Sequence, residues 1–395
     1  MASNGPTEEV APNTIDGARA WFQLDPSVTF LNHGSFGAVP VVVEAEASQW
    51  RRRLEAKPIE MLGRAMSGLL GEVRDRVGAF LGCGAQRVGL VTNATSGVGA
   101  VLSSIDWRAG DGILLSNHGY NAVRQAVQRT CQRWGTECTI ADLPLPVSGP
   151  DEVVERIMGC VGPRTRLVIV DHITSPTALV LPVAEIAAEC RARGLLCLVD
   201  GAHGPGMVPL AIDALGADWY TGNLHKWVCG PKGAAVLVAS QEMVSFTHPE
   251  TTSHFHGNGF VEEFAWQGTR DFANWLAIPS AIDFITTVGG GAAMAHNRAL
   301  AKWAHDRLAR AWKVEPISPD DGSMLGSMAT VGLPPSIRNR FASAAALQAR
   351  LYEHHNIEVP VIDFGGRWHV RVSAQIYNEP ADYLALESAV LDEAP

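Results

Sequence analysis

From residue 85 onward the chain alternates short apolar runs with longer amphipathic ones, and this alternation restricts the fold more than any other feature. Segments such as "NAVRQAVQRTCQRWG" have the spacing of helices with one apolar face. Strands that alternate with helices form a mostly parallel sheet covered on both faces, so we predict an α/β fold. The runs that predict buried strands are "VGLVT" (88–92), "GILLS" (112–116), "RLVIVD" (166–171), "LLCLVD" (195–200) and "GAAVLVA" (233–239).

The pattern changes after the glycine triplet at 289–291, where two helical stretches alternate with two strand-like ones. We therefore expect a large α/β domain over 16–287 and a smaller α+β domain over 288–395. The first segment of the large domain could also pack on the small one. Residues 1–15 are rich in Pro, Asn and Glu, which predicts a flexible tail.

Composition and charge argue against several classes of protein. The formal charge of −10 disfavours nonspecific binding to nucleic acid. The seven cysteines form no C-x-x-C pair, as expected for reduced thiols rather than a disulfide framework. The start of the chain is unlike a signal peptide, and no apolar run is long enough to span a bilayer. We expect a cytoplasmic protein that binds neither nucleic acid nor membrane.

Lys226 lies in an unusual setting for a lysine, the apolar and glycine-bounded stretch "GNLHKWVCGPKG" (222–233). Burial disfavours the charged ammonium. A lysine in such a place can act as a nucleophile or form an imine with a carbonyl compound. The alternative is a structural lysine whose amine reaches a carboxylate or water.

Polar residues follow several of the predicted strands, at the carboxyl edge of the sheet where sites form in open α/β folds. Asp200 ends a buried strand, where it could pair with a protonated pyridine nitrogen or cap a turn. His203 could reach the phenolic oxygen of such a ring, or be an ordinary loop histidine. The hydroxyls of Thr95 and Ser96 in "TNATSG" (92–97), together with free amides, suit a phosphate or form a simple helix cap.

Two further positions complete a chemical set. A flat side chain at His118 or Tyr120 could stack on a planar ring or merely pack. The guanidinium of Arg371, in "HVRVSAQIYN", suits a substrate carboxylate or a structural ion pair. An electron sink, a phosphate anchor, an imine-forming lysine and a carboxylate clamp are the parts that a pyridoxal phosphate enzyme needs.

The chain resembles the class V branch of the aspartate aminotransferase superfamily, and within it the isopenicillin N epimerase-like proteins. The resemblance implies the PLP-dependent transferase fold (fold type I), with a mostly parallel seven-stranded sheet, helices on both faces and a smaller α+β C-terminal domain. It also implies pyridoxal 5′-phosphate as the cofactor and an amino-acid-type substrate. The stretches that carry it run in family order from residue 31 to about residue 378: "LNHGSFGAVP", "VTNATSGV", "SNHGYNAV", "DHITSPTALVLPV", "DGAHGPGMVPL", "ADWYTGNLHKW", "GTRD", "VPVI" and "RVSAQIYN".

The resemblance implies a role for each matching residue. Lys226 would form the Schiff base with the cofactor, and Asp200 would pair with its pyridine nitrogen. His203 would lie near the phenolic oxygen, with His118 or Tyr120 over the ring. The other implied cofactor-binding residues are Ala94, Thr95, Ser96, Thr174, Asn223 and His225.

Two implied features involve other parts of the chain. Thr269 of "GTRD" would reach the phosphate in the neighbouring subunit, which implies a homodimer with shared sites. Arg371 would bind the α-carboxylate of the substrate, and the "NHGSFG" loop would close over it. The implied substrate-binding residues of this loop are Asn32, His33, Gly34 and Ser35.

The resemblance leaves the reaction open among epimerases, carbon–sulfur lyases and cysteine desulfurases. Persulfide-forming desulfurases need a cysteine shortly before the carboxylate-binding arginine, and "EVPVIDFGGRWHVR" has none. Epimerisation needs Lys226 on one face of the α-carbon and a second acid on the other, for which Tyr120, His33 and Cys229 are candidates. β-Elimination of a thiol-type group needs only Lys226. We favour an epimerase, with a carbon–sulfur β-lyase next and an aminotransferase after it.

A metal-dependent hydrolase is the alternative without pyridoxal phosphate. Its candidate ligand pairs lack a recognised spacing and give Lys226 no role, so we predict no metal in the active site. Residues 51–64 and 253–266 are expected to contact the side chain of the substrate, with Arg270 and His256 as candidate contacts. The candidate ligand pairs are His254 with His256, His354 with His355, and Asp171 with His172.

Overall fold

The computed structural model describes residues 11–394, and twelve strands in it form one large and two small sheets. The strands are β1 (Thr29–Phe30), β2 (Val88–Val91), β3 (Gly112–Ser116), β4 (Glu137–Ala141), β5 (Thr165–Asp171), β6 (Leu196–Asp200), β7 (Trp219–Asn223), β8 (Ala235–Ala239), β9 (Met328–Gly332), β10 (Ile357–Glu358), β11 (Val361–Phe364) and β12 (Arg367–Ser373).

Helices precede, separate and follow these strands. They are α1 (His33–Phe36), α2 (Val41–Ala56), α3 (Pro58–Glu60), α4 (Met66–Leu81), α5 (Ala94–Ser104), α6 (Asn121–Trp134), α7 (Pro150–Gly159), α8 (Val183–Ala192), α9 (Ile212–Leu215), α10 (Phe260–Ala265), α11 (Ala273–Leu276), α12 (Ile278–Thr287), α13 (Gly291–Trp312), α14 (Ala344–His355) and α15 (Pro380–Glu393). Short 3₁₀ turns lie at Ala18–Trp21, Ala85–Arg87 and Pro335–Asn339, and a π turn at Met61–Ala65 joins α3 to α4.

The large sheet has seven strands in the order β2-β8-β7-β6-β5-β3-β4. Neighbours pair in parallel from β7 to β4, whereas β8 runs antiparallel to both β2 and β7. Each of the five predicted strands is present, which confirms the mostly parallel α/β sheet. Two strands lack a separate prediction from the sequence: β4, a largely exposed edge strand, and β7.

Alternating side chains of the central strands enter two different cores. On β5, Val168 and Val170 join the cluster that contains α4 and α8, whereas Leu167 and Ile169 join the cluster that contains α5 and α6. Successive side chains of a strand point to opposite faces of a sheet. Both faces of the sheet are therefore covered by helices, as predicted.

A second group of elements builds on the antiparallel sheet β11-β12-β9, against which α13 and α15 pack around a separate core. The early strand β1 pairs in parallel with β10 of this group, so the N-terminal segment reaches it directly. Helix α12 ends at Thr287 and α13 begins at Gly291, within the glycine triplet. The domain boundary at residue 288 stays a prediction. Of the predicted tail, residues 1–10 lie outside the described residues.

Within residues 11–394, no single helix is both long enough and apolar enough to cross a bilayer. The segments Ala273–Thr287 and Gly291–Trp312 reach that threshold only together, as a pair bent by 71°.

Helix α5 packs closely on β7, which gives a test of the packing. A Cβ added at Gly97 would overlap the side chain of Thr221, whereas one added at Gly68, in the exposed first turn of α4, would meet open space. We expect Gly97→Ala to lower the free energy of unfolding by about 1–3 kcal/mol through overpacking. Gly68→Ala should raise it by up to about 1 kcal/mol, because alanine favours helix. Urea unfolding followed by circular dichroism measures both, and equal effects would contradict this packing.

Candidate active site

A cavity of about 230 Å³ opens at the carboxyl edge of the large sheet, where β5, β6 and β7 end. It brings together residues that are far apart in the sequence, as expected for an open α/β sheet. It is lined by Ser35, Phe36, Asn93, Ala94, Thr95, Tyr120, Asp171, Ile173, Ser175, Asp200, Ala202, His203, Asn223, His225 and Lys226.

Lys226 lies in the turn after β7, with its Nζ 3.1 Å from Nε2 of His203. The indole N–H of Trp227 donates to Nδ1 of His203 over 3.3 Å. Because Nδ1 accepts this hydrogen bond, the neutral imidazole carries its proton on Nε2 and donates it to an uncharged lysine amine. Burial lowers the pKa of Lys226 to about 7, and the positive charge of Arg371 acts in the same direction. The amine is therefore a nucleophile near neutral pH.

The turn that carries Lys226 is held by the loop around α1. Nε2 of His33 donates to the carbonyl oxygen of Lys226 over 3.0 Å, and Nδ1 accepts from the hydroxyl of Tyr377 over 2.9 Å. Gly37 has φ 72° and lies against the backbone of His225, where a Cβ would overlap the carbonyl oxygen. Burial lowers the pKa of His33 to about 3. His33 is thus a neutral support of the lysine turn.

Asp200 and Asp171 end the neighbouring strands β6 and β5 and lie in register with each other. Both carboxyl groups are buried and line the cavity. Burial raises the pKa of Asp171 well above its usual range, and the negative charge of Asp200 adds to this effect. Burial also raises the pKa of Asp200, but the amide of Ala202 and the charge of Lys226 oppose the shift. We therefore assign a proton to Asp171 and the negative charge to Asp200.

The sequence analysis named Asp171 only as a possible metal ligand. A signal was present, because the adjacent predicted strands "RLVIVD" and "LLCLVD" both end in aspartate. Two such strands in parallel register bring their last side chains together. The order of strands in the sheet, which the sequence analysis did not derive, was needed to use that signal.

Arg371, on β12, is a buried cation whose hydrogen-bond partners are uncharged. Nη1 donates to the carbonyl oxygen and to Oγ of Ser175, over 2.7 and 3.0 Å, and Nη2 donates to Oγ of Ser35 over 3.0 Å. Nε is buried without a partner among the described residues. Burial lowers the pKa of this guanidinium to about 10. A buried guanidinium of this kind is stabilised by an incoming carboxylate.

The start of α5 forms another wall of the cavity. Oδ1 of Asn223 accepts from the amide of Ala94 over 2.9 Å, which fixes the end of the helix against β7. Thr95 lines the cavity at the same end, where a helix attracts anions. Nδ1 of His225 donates to the carbonyl oxygen of Ala234 over 3.0 Å, and burial lowers the pKa of His225 to about 4. A bound dianion would oppose that shift and favour the protonated ring.

Of the two predicted stacking residues, Tyr120 lines the cavity and His118 does not. Tyr120 is 44% exposed, whereas His118 is fully buried. The ring nitrogens of His118 contact Oγ1 of Thr177 at 2.7 Å and the carbonyl oxygen of Leu143 at 3.0 Å. Thr174 also contacts Oγ1 of Thr177, at 2.8 Å, and lies outside the lining. Of these two residues, Tyr120 is thus the one free to face a ligand.

The remaining predicted residues support the cavity from outside its lining. The hydroxyl of Ser96 contacts that of Thr92 at 2.9 Å, and the amide of Gly34 donates to Oγ of Ser373 over 3.0 Å. Asn32 donates to Glu358 over 3.0 Å. Thr269 is exposed, so its role toward a second subunit stays a prediction.

Three further groups of residues named in the sequence analysis lie outside the cavity lining. Cys229 is buried outside the cavity lining, and burial raises the pKa of its thiol to about 12. Residues 51–64 are mostly helical, in α2, α3 and the π turn, and none of them lines the cavity. The histidine pair on α14 is also outside the lining, and Nε2 of His355 contacts Glu393 at 3.0 Å.

We expect the amine of Lys226 to react with small electrophiles near neutral pH. Because its pKa is lowered from 10.5 to about 7, the neutral fraction rises as the pH rises through about 7. Acetylation of the cofactor-free protein at a series of pH values, read at Lys226 by peptide mass spectrometry, measures the midpoint. Arg371→Gln removes a nearby positive charge and should move the midpoint upward. A wild-type midpoint near 10.5, or no change in the variant, would contradict this electrostatic account.

Comparison with known proteins agrees with this geometry. A family model described as Aminotransferase class-V matches residues 30–361. The isopenicillin N epimerase of Amycolatopsis lactamdurans is 34% identical, over 94% of this chain and 97% of its own length. Putative L-cysteine desulfhydrase 1 of Oryza sativa subsp. japonica is 31% identical, over 93% of this chain and 83% of its own length.

A solved structure of a C-DES mutant, with glycine covalently linked to its PLP cofactor, has a TM-score of 0.78 and 21% identity. The alignment covers 95% of this chain and 99% of that one. This likeness confirms the predicted fold type I. With the fold, the lysine-containing cavity and the match over residues 30–361 in agreement, the chain belongs to the class V aminotransferase family.

Proposed function

We propose that this class V aminotransferase family member catalyses epimerisation at the α-carbon of an amino acid or aminoacyl substrate. The family depends on pyridoxal 5′-phosphate, so the predicted cofactor is confirmed and the chain is an enzyme. The isopenicillin N epimerases are 34% identical to the chain over 93–94% of its length. This similarity supports epimerisation as the proposed reaction.

The cavity offers a partner for each part of this cofactor. The neutral amine of Lys226 would hold the aldehyde, and the Asp200 carboxylate would pair with the ring nitrogen. Thr95, at the start of α5, and His225 would hold the phosphate. Tyr120 would lie against the ring. Asp200 is buried without an ion-pair partner among the described residues, so a protonated ring nitrogen would supply the cation that it lacks.

When bound, pyridoxal phosphate supplies an electron sink that acidifies the α-proton of the attached substrate. Lys226 would remove or return that proton on one face, because a pKa near 7 suits proton transfer in both directions. His203 directs its Nε2 proton at the Lys226 amine. A protonated Asp171 leaves Asp200 as the ionised partner that would pair with the ring nitrogen.

The observation that carries the proposal is the buried Arg371 guanidinium, which binds Ser35 and Ser175 in the lining of the cavity that contains Lys226. The positive charge of Arg371 contributes to the low pKa of Lys226, so the guanidinium is close enough to affect the amine electrostatically. A substrate α-carboxylate would pair with Arg371 and place the α-carbon near the Lys226 amine. Oγ of Ser35, which already accepts from Arg371, would then contact the same carboxylate.

Epimerisation requires a second proton donor on the other face of the α-carbon. Of the three candidates from the sequence, Tyr120 lines the cavity, whereas His33 and Cys229 lie outside its lining. The positions of His33 and Cys229 argue against direct roles for them in proton transfer. We assign the role of proton donor on the second face of the α-carbon to Tyr120.

A carbon–sulfur β-lyase is the second candidate. Its support is the 30–31% identity to L-cysteine desulfhydrases over 92–93% of this chain. Lys226 alone could serve that reaction. No cysteine lines the described cavity, so a persulfide-forming reaction lacks its nucleophile here. We rank an aminotransferase below both the epimerase and the lyase.

We also propose that the enzyme is a cytoplasmic homodimer. In this dimer, Thr269 of one subunit would reach the phosphate site of the partner subunit.

The two buried aspartates should respond differently to loss of charge. Asp171→Asn imitates the protonated acid already present, so cofactor affinity and turnover should change little. Asp200→Asn removes the ring-nitrogen partner and should lower turnover by about 10²–10³-fold. Absorbance titration of the cofactor-free protein with pyridoxal phosphate, followed by steady-state assays, measures both variants. Similar losses in the two would show that Asp171 carries charge.

Isotope exchange tests the proposed reaction. A panel of L- and D-amino acids and cysteine conjugates is incubated in deuterium oxide while α-deuteration, chirality, pyruvate and sulfide are followed. Racemised product without pyruvate supports epimerisation, and pyruvate with sulfide supports the lyase. Tyr120→Phe should slow epimerisation by about 10²–10⁴-fold while one enantiomer still exchanges its α-proton through Lys226. Lys226→Ala should abolish exchange, and exchange that survives it would refute the proposal.

A further inference from the structure

Three side chains with metal-ligating atoms converge at the end of α5 remote from the active site. They are His248, His256 and Glu263, whose ligand atoms all lie within 4.8 Å of one another. The amide of His248 donates to Oγ of Ser104, the last residue of α5, over 2.9 Å. Ala94, at the other end of this helix, lines the active-site cavity. Eleven helical residues separate the two places by about 15 Å.

The distances from each histidine to Glu263 lie near the spacing of ligands around a single ion. Nδ1 of His248 lies 2.8 Å from Oε2 of Glu263, and Nδ1 of His256 lies 3.5 Å from the same oxygen. Tetrahedral Zn²⁺ with bonds of about 2.0–2.1 Å requires ligand atoms about 3.3 Å apart. The two observed distances lie on either side of that value. A small cavity of about 10 Å³ is lined by the same three residues, with Trp266 beside them.

Burial and hydrogen bonding orient the carboxylate toward the histidines. The side chain of Glu263 is 4% exposed, whereas those of His248 and His256 are 45% and 60% exposed. The amide of Gly257 donates to Oε1 of Glu263 over 3.1 Å, which leaves Oε2 for the imidazoles. The carboxylate is thus buried and held in place, as metal ligands are.

We propose that His248, His256 and Glu263 bind one divalent transition-metal ion of the Zn²⁺ type, with water in the fourth position. Imidazole nitrogen and carboxylate oxygen are ligands that Zn²⁺ accepts. An ion pair between His248 and Glu263 accounts for the shorter distance. It leaves the exposed His256 with a long contact of little energetic value in water, whereas coordination uses both histidines.

The bound ion has a structural role. It links the loop that contains His248 and His256 to α10, which carries Glu263. Four residues after α10 the chain reaches Thr269. The ion therefore stiffens the segment that leads to this threonine. This site does not depend on the reaction proposed for the active site.

Zinc titration of the holoenzyme tests the proposal. The protein, freed of any affinity tag and treated with a chelator, is titrated with Zn²⁺ against a chromophoric competitor. His256→Ala should weaken the binding of one equivalent by at least about 10–100-fold, the loss typical of disturbing even an outer-shell partner. His254→Ala is the matched control, because His254 is exposed, lies two residues away and is outside the cluster. It should bind Zn²⁺ like the wild type.

Two further measurements keep folding and binding apart. Circular dichroism establishes that each variant is folded, and Glu263→Gln removes the charge while keeping the shape. Co²⁺ in place of Zn²⁺ should give the intense visible absorption of a tetrahedral site in the wild type and in His254→Ala, but not in His256→Ala or Glu263→Gln. Absence of stoichiometric binding by the wild type, or equal affinity in wild type and His256→Ala, would overturn the proposal.

Discussion

The site depends on the burial of the Lys226 amine, because only a desolvated lysine beside another cation is uncharged near neutral pH. The turn after β7 that carries Lys226 provides this burial. His33 and Gly37 hold it from one side, and Trp227 holds His203 against the amine from the other. Exposure of this turn to water would restore an ordinary ammonium. The positions of the surrounding loops therefore matter as much as the lysine itself.

Charge is divided between two parts of the molecule. The carboxyl pair of Asp171 and Asp200 belongs to the large sheet, and the guanidinium of Arg371 belongs to the small antiparallel sheet. Each is costly to bury alone. A cationic ring would complement Asp200, and a substrate carboxylate would complement Arg371, so binding would recover part of the cost of burying these charges. The two aspartates line the cavity, and Arg371 binds Ser35 and Ser175 of the same lining.

Much of the fold could be predicted from the sequence, because apolar runs and helical spacing report burial directly. Strand β4 gave no such signal, since an edge strand with exposed side chains needs no apolar run. Strand β7 carries Thr, Gly and Asn at its end, a composition typical of turns. Lys226, Asp200 and Arg371 could be found because their residue types conflict with apolar surroundings. The raised pKa of Asp171 and the support by His33 depend on contacts between distant segments, which local patterns do not contain.

The pairing of β1 with β10 has a mechanical consequence. Strand β1 leads directly into the short helix α1, which carries Ser35, while β10 lies in the same group of elements as β12, which carries Arg371. Helix α1 and the Arg371 guanidinium are thus both attached to the small-sheet group of elements. The hydrogen bond from Arg371 to Ser35 connects them directly. If this group of elements moves toward the large sheet, Ser35 and Arg371 move together. Closure and carboxylate capture would then be a single motion.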